Sequence, residues 1–149
     1  MEILINIGIA VLTFIGMEGV AWLSHKYIMH GLLWRWHKDH HEPKYDQVFE
    51  KNDYFFLIFA LPGIAGIFGG VFYDIAYLLS FGVGITWYGM AYFFIHDVFI
   101  HQRIKIWKQI PLKYFKLLRK AHKLHHKNRG KEGGVNFGML WVPTNLWKD

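Results

Sequence analysis

The chain has 149 residues, of which 53% are hydrophobic and 19% aromatic, with a formal net charge of +6. That length suits one domain, residues 1–149, and the apolar fraction is high for a soluble protein of ordinary composition. Cysteine is absent, which excludes disulfides, Cys-ligated zinc and Cys-ligated iron–sulfur clusters.

The first predicted element is a helix from about Ile3 to Ser24, in which Glu18 is the one charge before the end. A stretch of about 20 apolar residues is enough to cross a bilayer. The segment has no basic start and no small-residue cleavage site at its end, so it reads as a span and not as a cleaved signal peptide. Directly after it stands "HKYIMHGLLWRWHKDHH", with histidines at His25, His30, His37, His40 and His41 and an acid, Asp39, inside the last group. The stretch from Tyr54 to Ile100 contains no Lys or Arg, and its acids are Asp74 and Asp97. It divides into a helix from about Tyr54 to Gly70, a turn near Val71 to Ile75, and a helix to about Ile95. Pro62 falls inside the first of these and is expected to kink it, which membrane helices tolerate. Gly82, Gly84 and Gly89 in the next would permit close helix approach. His96 and His101 stand at the end of that helix. "IKIWKQIPLKYFKLL", Ile104 to Leu118, alternates basic and apolar residues and reads as an interfacial or surface helix broken by Pro111. His122, His125 and His126 come next, then a loop, Arg129 to Gly134.

The resulting fold class is all-α: an integral membrane helical bundle with three spans and a histidine-rich cap. Five Lys/Arg lie between Lys26 and Lys51, eleven between Arg103 and Lys131, and the last is Lys148, which makes the 17 of the chain. Two passes separate the first two groups, so all basic residues can lie on one side. The positive-inside tendency makes that side cytoplasmic. Membrane lipid is thus an expected partner, and no nucleic acid is.

All ten histidines fall into two H-x4-H pairs and two H-x2-H-H triplets. Each half of the chain sets a hydrophobic helix before one pair and one triplet, a weak internal repeat. Residues at i, i+3 and i+4 share a helix face, so each triplet can aim three imidazoles at one point. A five-residue separation is about 140° around a helix of 3.6 residues per turn. An H-x4-H pair on a regular α-helix therefore cannot chelate one ion; it must serve different ions or straddle a helix end. Two ions sharing eight to ten imidazoles fits the count, and an all-nitrogen set suits iron, zinc, copper or nickel. Three acids are candidates to support the ligands. Glu18 lies seven residues before His25, on nearly the same face, and is costly in lipid unless paired. Asp97 lies four before His101 and is placed to receive its free ring N–H. Asp39 sits within the first triplet.

Three stretches carry a likeness to known proteins: "EGVAWLSHKYIMHGLLWRWHKDHHEP" (Glu18 to Pro43), "FIHDVFIHQR" (Phe94 to Arg103) and "AHKLHHKNRGKEGGVNFGML" (Ala121 to Leu140). The pattern resembles the fatty acid hydroxylase and sterol desaturase superfamily of histidine-rich membrane di-iron oxygenases. Within it, "HDVFIHQR" and "HKLHH" with the trailing "GVNFG" resemble the bacterial β-carotene hydroxylases. The resemblance implies O2-dependent hydroxylation of a carotenoid β-ionone ring at carbon 3, from β-carotene to cryptoxanthin and zeaxanthin, or from canthaxanthin toward astaxanthin. It implies His25, His30, His37, His40, His41, His96, His101, His122, His125 and His126 as ligands of two Fe ions, with Zn as an alternative in purified protein. Members of the family are usually drawn with four spans, against the three counted here.

An unactivated C–H bond demands a strong oxidant, which redox-inert zinc does not provide. The substrate would approach from the bilayer, and Trp22, Met29, Trp87, Tyr88 and Phe94 are the expected lining. With no cysteine for a cluster, no c-type haem motif and no nucleotide fingerprint, electrons from NAD(P)H are expected through a separate donor, a ferredoxin with its reductase. The basic face would attract an acidic donor or anionic lipid. The location expected is the bacterial inner membrane, with the metals on the cytoplasmic side. The other readings are a fatty acyl or sterol hydroxylase or desaturase of the same superfamily, and a membrane metal transporter or sensor. The last is disfavoured because transport would place ionisable residues along a path at mid-membrane.

Overall fold

The computed structural model describes residues 1–42 and 49–148. Pro43, which ends the first resembling stretch, and Lys44 of the first basic group lie outside the described residues. In chain order the helices are α1 (Glu2–Leu23), a π-helix π1 (Ser24–Leu32), α2 (Trp34–His41), α3 (Asp53–Phe72), α4 (Ala76–Phe93), a second π-helix π2 (Phe94–Ile100), α5 (Lys113–Lys127) and a 3-10 turn (Thr144–Trp147). No strand occurs among the described residues.

Three helical segments, Glu2–Leu32, Asp53–Phe72 and Ala76–Ile100, are long and apolar enough to cross a membrane, the first of them kinked at Gly31 (φ −113°, ψ −108°). Ile3, Leu12, Leu61, Phe68 and Val71 are among many large apolar side chains left exposed. Such a surface is at home in lipid and unfavourable in water, which marks a membrane protein.

The chain forms two compact units. The first comprises Met1–Met17 and Tyr54–Ala91, and by sequence it contains no Lys or Arg. Its helices approach closely through glycine, as helices in lipid do when small residues let their backbones meet. A Cβ added at Gly82 would stand 2.5 Å from the Ile67 nitrogen, and one at Gly84 would stand 2.5 Å from the Ala10 carbonyl oxygen. Gly89, the third glycine expected to mediate contact, has open space around it. α3 passes through Pro62 without a break, and the chain reverses after it with Asp74 at φ 54°.

The second unit comprises Glu18–Asp53 and Tyr92–Asp149. Leu117, Leu118 and Ala121 of α5 form its small apolar core with Val142 and Leu146, and Ile95 and Tyr114 pack on it. The Tyr114 hydroxyl donates to the Leu140 carbonyl at 2.8 Å. The Glu18 carboxylate, at the foot of this unit in α1, accepts the backbone N–H groups of Met139, Leu140 and Trp141 at 2.9–3.0 Å. One expectation needs correction. Residues 104–112 form no helix; α5 starts after Pro111 and carries the second triplet. Proline disfavours helical backbone at the residue before it, so the alternating stretch stays irregular.

Candidate metal centre

All ten histidines lie in the second unit. His25 and His30 come from π1, His37, His40 and His41 from α2, His96 from π2 with His101 directly after it, and His122, His125 and His126 from α5. Eight are buried; His101 and His126 are half-buried. They converge as two groups. The ligand nitrogens of His25, His30, His37, His41 and His125 lie within 4.8 Å of one another, as do those of His40, His101, His122 and His126. The Nε2 of His96 is 3.0 Å from that of His40, which joins it to the second group.

The H-x4-H pairs converge by a route the α-helical reading left out. In a π-helix the hydrogen bond closes five residues apart, so residues i and i+5 stack on one side. The His101 N–H donates to the His96 carbonyl at 2.9 Å, and the Leu33 N–H to the Ile28 carbonyl at 2.8 Å. The ring centroids of His25 and His30 are 5.3 Å apart, and those of His96 and His101 4.5 Å. Each pair therefore serves one group. The triplets do the opposite: His37 and His41 face the first group and His40 the second, while His125 faces the first and His122 and His126 the second.

The Nδ1 partners fix the tautomers. In the first group Nδ1 donates to Phe137 O from His25 (2.9 Å), Lys131 O from His30 (3.0 Å), Asn128 O from His41 (3.0 Å) and Val135 O from His125 (2.8 Å). His37 Nδ1 donates to the Asn52 side-chain oxygen at 2.7 Å. Carbonyl oxygens only accept, so these rings carry their proton on Nδ1 and keep a lone pair on Nε2. In the second group His40 Nδ1 meets Glu50 Oε2 at 2.9 Å and His96 Nδ1 meets Asp97 Oδ2 at 3.3 Å. His122 Nδ1 is buried without a hydrogen-bond partner.

The Nε2 atoms consequently face one another lone pair to lone pair: His25 to His37 at 3.0 Å, His37 to His41 at 3.2 Å, His30 to His125 at 3.3 Å and His40 to His96 at 3.0 Å. Neither nitrogen of such a pair has a proton to share, so the contacts are not hydrogen bonds. With metal–nitrogen bonds of about 2.1 Å, adjacent ligands of an octahedral ion are about 3.0 Å apart and those of a tetrahedral ion about 3.4 Å. The donor set fits two cations, each of high coordination number.

Seven of the rings are also kept neutral. Burial, reinforced by neighbouring imidazoles, holds His40, His101 and His122 well below the ordinary range. The same causes lower His41 to about 4, His125 to about 3, and His37 and His126 to about 2.

Asp97 lies against His96, its neighbour in π2, at 3.3 Å from Nδ1, where its four-residue spacing suggests His101. Glu18 ties down residues 139–141. Asp39 Oδ2 accepts the Lys51 N–H at 2.6 Å, and its Oδ1 is buried without a partner. Of the expected lining residues, Met29 and Tyr88 are buried while Trp22, Trp87 and Phe94 are exposed; Trp22, Met29 and Phe94 belong to the histidine-bearing unit. Sequence reasoning missed Glu50, Asn52 and Arg103, and it read the 129–134 segment only as a loop. The signal there is its glycine density, which marks close backbone approach. Asn136 at φ 57° reverses the chain between the two carbonyls that reach His125 and His25, a conformation Asn tolerates better than most residues.

Comparison with known proteins gives a consistent result. A family profile described as "Fatty acid hydroxylase" matches residues 10–147. A protein named "Beta-carotene hydroxylase" from Pantoea ananas is 47% identical over 93% of this chain and 78% of its own length. Another of that name, from Pseudescherichia vulneris, is 46% identical over 96% of this chain and 81% of its own. "Beta-carotene 3-hydroxylase, chloroplastic" of an Oncidium hybrid cultivar is 37% identical over 93% of this chain and 46% of its own length. No solved structure matches.

Proposed function

This chain belongs to the fatty acid hydroxylase family, and from that premise we propose that it is a carotenoid hydroxylase acting at carbon 3 of the β-ionone ring. The reading takes β-carotene to cryptoxanthin and zeaxanthin, or canthaxanthin toward astaxanthin, within one hydroxylase domain of residues 1–149. The convergence of ten imidazoles with inward Nε2 lone pairs, in a chain so like the named β-carotene hydroxylases, is the observation that carries it.

In this reading His25, His30, His37, His41 and His125 hold one iron ion, and His40, His96, His101, His122 and His126 hold the other. Iron, when bound, supplies the one-electron chemistry with O2 that an unactivated C–H bond requires. The protein's own part is orientation and exclusion. Four loop carbonyls, Asn52, Glu50 and Asp97 clamp Nδ1 of seven rings, so the lone pairs stay aimed whether or not substrate is present. Burial keeps bulk water from the ligand nitrogens and protons off them. Trp22, Met29, Trp87, Tyr88 and Phe94 are proposed to line the path of the apolar ring, and the Phe94 ring lies 5.9 Å from that of the exposed Trp107. The enzyme is placed in the bacterial inner membrane with its metals on the cytoplasmic side, and its electrons come from NAD(P)H through a ferredoxin and reductase drawn to the basic face.

The test is expression in a host that accumulates β-carotene, with a competent donor present, and then pigment chromatography. The expected result is conversion to cryptoxanthin and zeaxanthin. Unchanged pigment beside metal-loaded protein, with canthaxanthin-fed cells equally unconverted, overturns the substrate assignment.

A further inference from the structure

The two histidine groups differ in what stands behind them. Every Nδ1 contact described in the first group is to a neutral oxygen: Asn128, Lys131, Val135 and Phe137 carbonyls and the Asn52 amide. In the second group two rings are backed by carboxylates, His40 by Glu50 and His96 by Asp97. One side chain gathers both acids. Arg103 Nη2 lies 3.0 Å from Glu50 Oε2, and Nη1 lies 3.1 Å from Asp97 Oδ1 and 2.8 Å from Asp53 Oδ1. Asp53 Oδ2 in turn accepts the Glu50 N–H at 3.0 Å.

A carboxylate that accepts a ring N–H makes the opposite nitrogen a stronger donor than a carbonyl does. Glu50 and Asp97 would repel each other and drift without a cation between them. A guanidinium satisfies both through fixed, forked N–H groups, which an ammonium cannot reproduce. It also occupies Asp97 Oδ1, the oxygen that does not meet His96 and would otherwise be free to swing toward a metal. Resting on the two-metal reading above, we propose that Arg103 is a positioning residue that locks Glu50 and Asp97 behind His40 and His96, making the second metal position more strongly donating than the first.

A merely structural ion pair offers a different expectation. The Arg103 side chain is 27% exposed, and a partly exposed pair contributes little to stability. A structural role would therefore leave metal binding nearly untouched or disturb both positions alike.

The full chain, purified in lipid nanodiscs and freed of metal, is titrated anaerobically with 57Fe(II), with binding isotherms and Mössbauer spectra recorded. We expect two binding steps and two distinct quadrupole doublets. Glu50→Gln and Asp97→Asn should each weaken one step by about 10–100-fold and move one doublet. Arg103→Gln should affect that same step, Arg103→Lys less severely, and Asn52→Ala the other step. Two ions bound with a single doublet, or Glu50→Gln and Asn52→Ala acting on the same step, overturns the inference while leaving the two-metal reading intact. Fewer than two ions bound by the unaltered chain overturns that reading and the inference with it. Should Arg103→Gln fail to fold, Arg103→Lys decides the matter: both steps and both doublets unchanged in that variant overturn the role given to Arg103.

Discussion

Four imidazoles of the first group hang from carbonyls of residues 128–137, and a carbonyl has no residue type. The histidines stand out in the sequence because their spacing is visible; the oxygens that orient them leave no trace but a run of glycines and one left-handed Asn136. Glu50 and Asn52 are equally hard to see, since their contacts with His40 and His37 join positions 10 and 15 residues apart in the chain, outside any helical spacing. The depressed histidine pKa values have a consequence in pH. An imidazole in unfolded chain titrates near 6.5, whereas His41 and His125 are held at about 4 and about 3. The folded state thus binds fewer protons, so this contribution to stability is unchanged above 6.5 and declines as pH falls from there toward the folded values. Metal should stay bound as pH drops from about 8 to about 5.5 and then leave together with the fold, not ring by ring. Metal content and near-ultraviolet circular dichroism measured across that range test this; metal lost near pH 6.5 from an intact fold would contradict it.

At the scale of the element, the two π-helices explain what a 3.6-residue period conceals. A period fitted to α-helix puts His25 and His30 on different faces, and the wider turn brings them together. The long apolar runs, by contrast, are legible from composition alone, because a span of bilayer thickness needs little more than length and lack of charge. Within them the glycines are not equivalent. Gly84→Ala would bring a Cβ to 2.5 Å from the Ala10 carbonyl oxygen and 2.7 Å from Thr13 Cβ. It should destabilise by about 1–3 kcal/mol. Gly89→Ala enters open space and should stabilise slightly, by about 0.5–1 kcal/mol, as alanine usually does in a helix. Midpoints of thermal unfolding in the same lipid or detergent give the comparison, and equal shifts for both would refute the packing argument.

For the whole molecule, every Lys and Arg of the sequence falls within the ranges of the histidine-bearing unit. In the proposed topology of three crossings the chain's first and last residues would end on opposite sides of the membrane, with the last on the cytoplasmic side by the positive-inside tendency. A C-terminal green fluorescent protein fusion should therefore fluoresce, and an N-terminal phosphatase fusion should be active in the periplasm. The same signal at both ends would require an even number of spans. His25 and the Phe137 carbonyl that orients it are 112 residues apart. Ribosomes add about 5–20 residues per second, so roughly 6–22 s of translation separates the two. Throughout that interval the earliest imidazoles sit without their oxygen partners, and a metal ion captured then would find misaligned ligands. The orientation of these rings can therefore be completed only after the last loop has been synthesised.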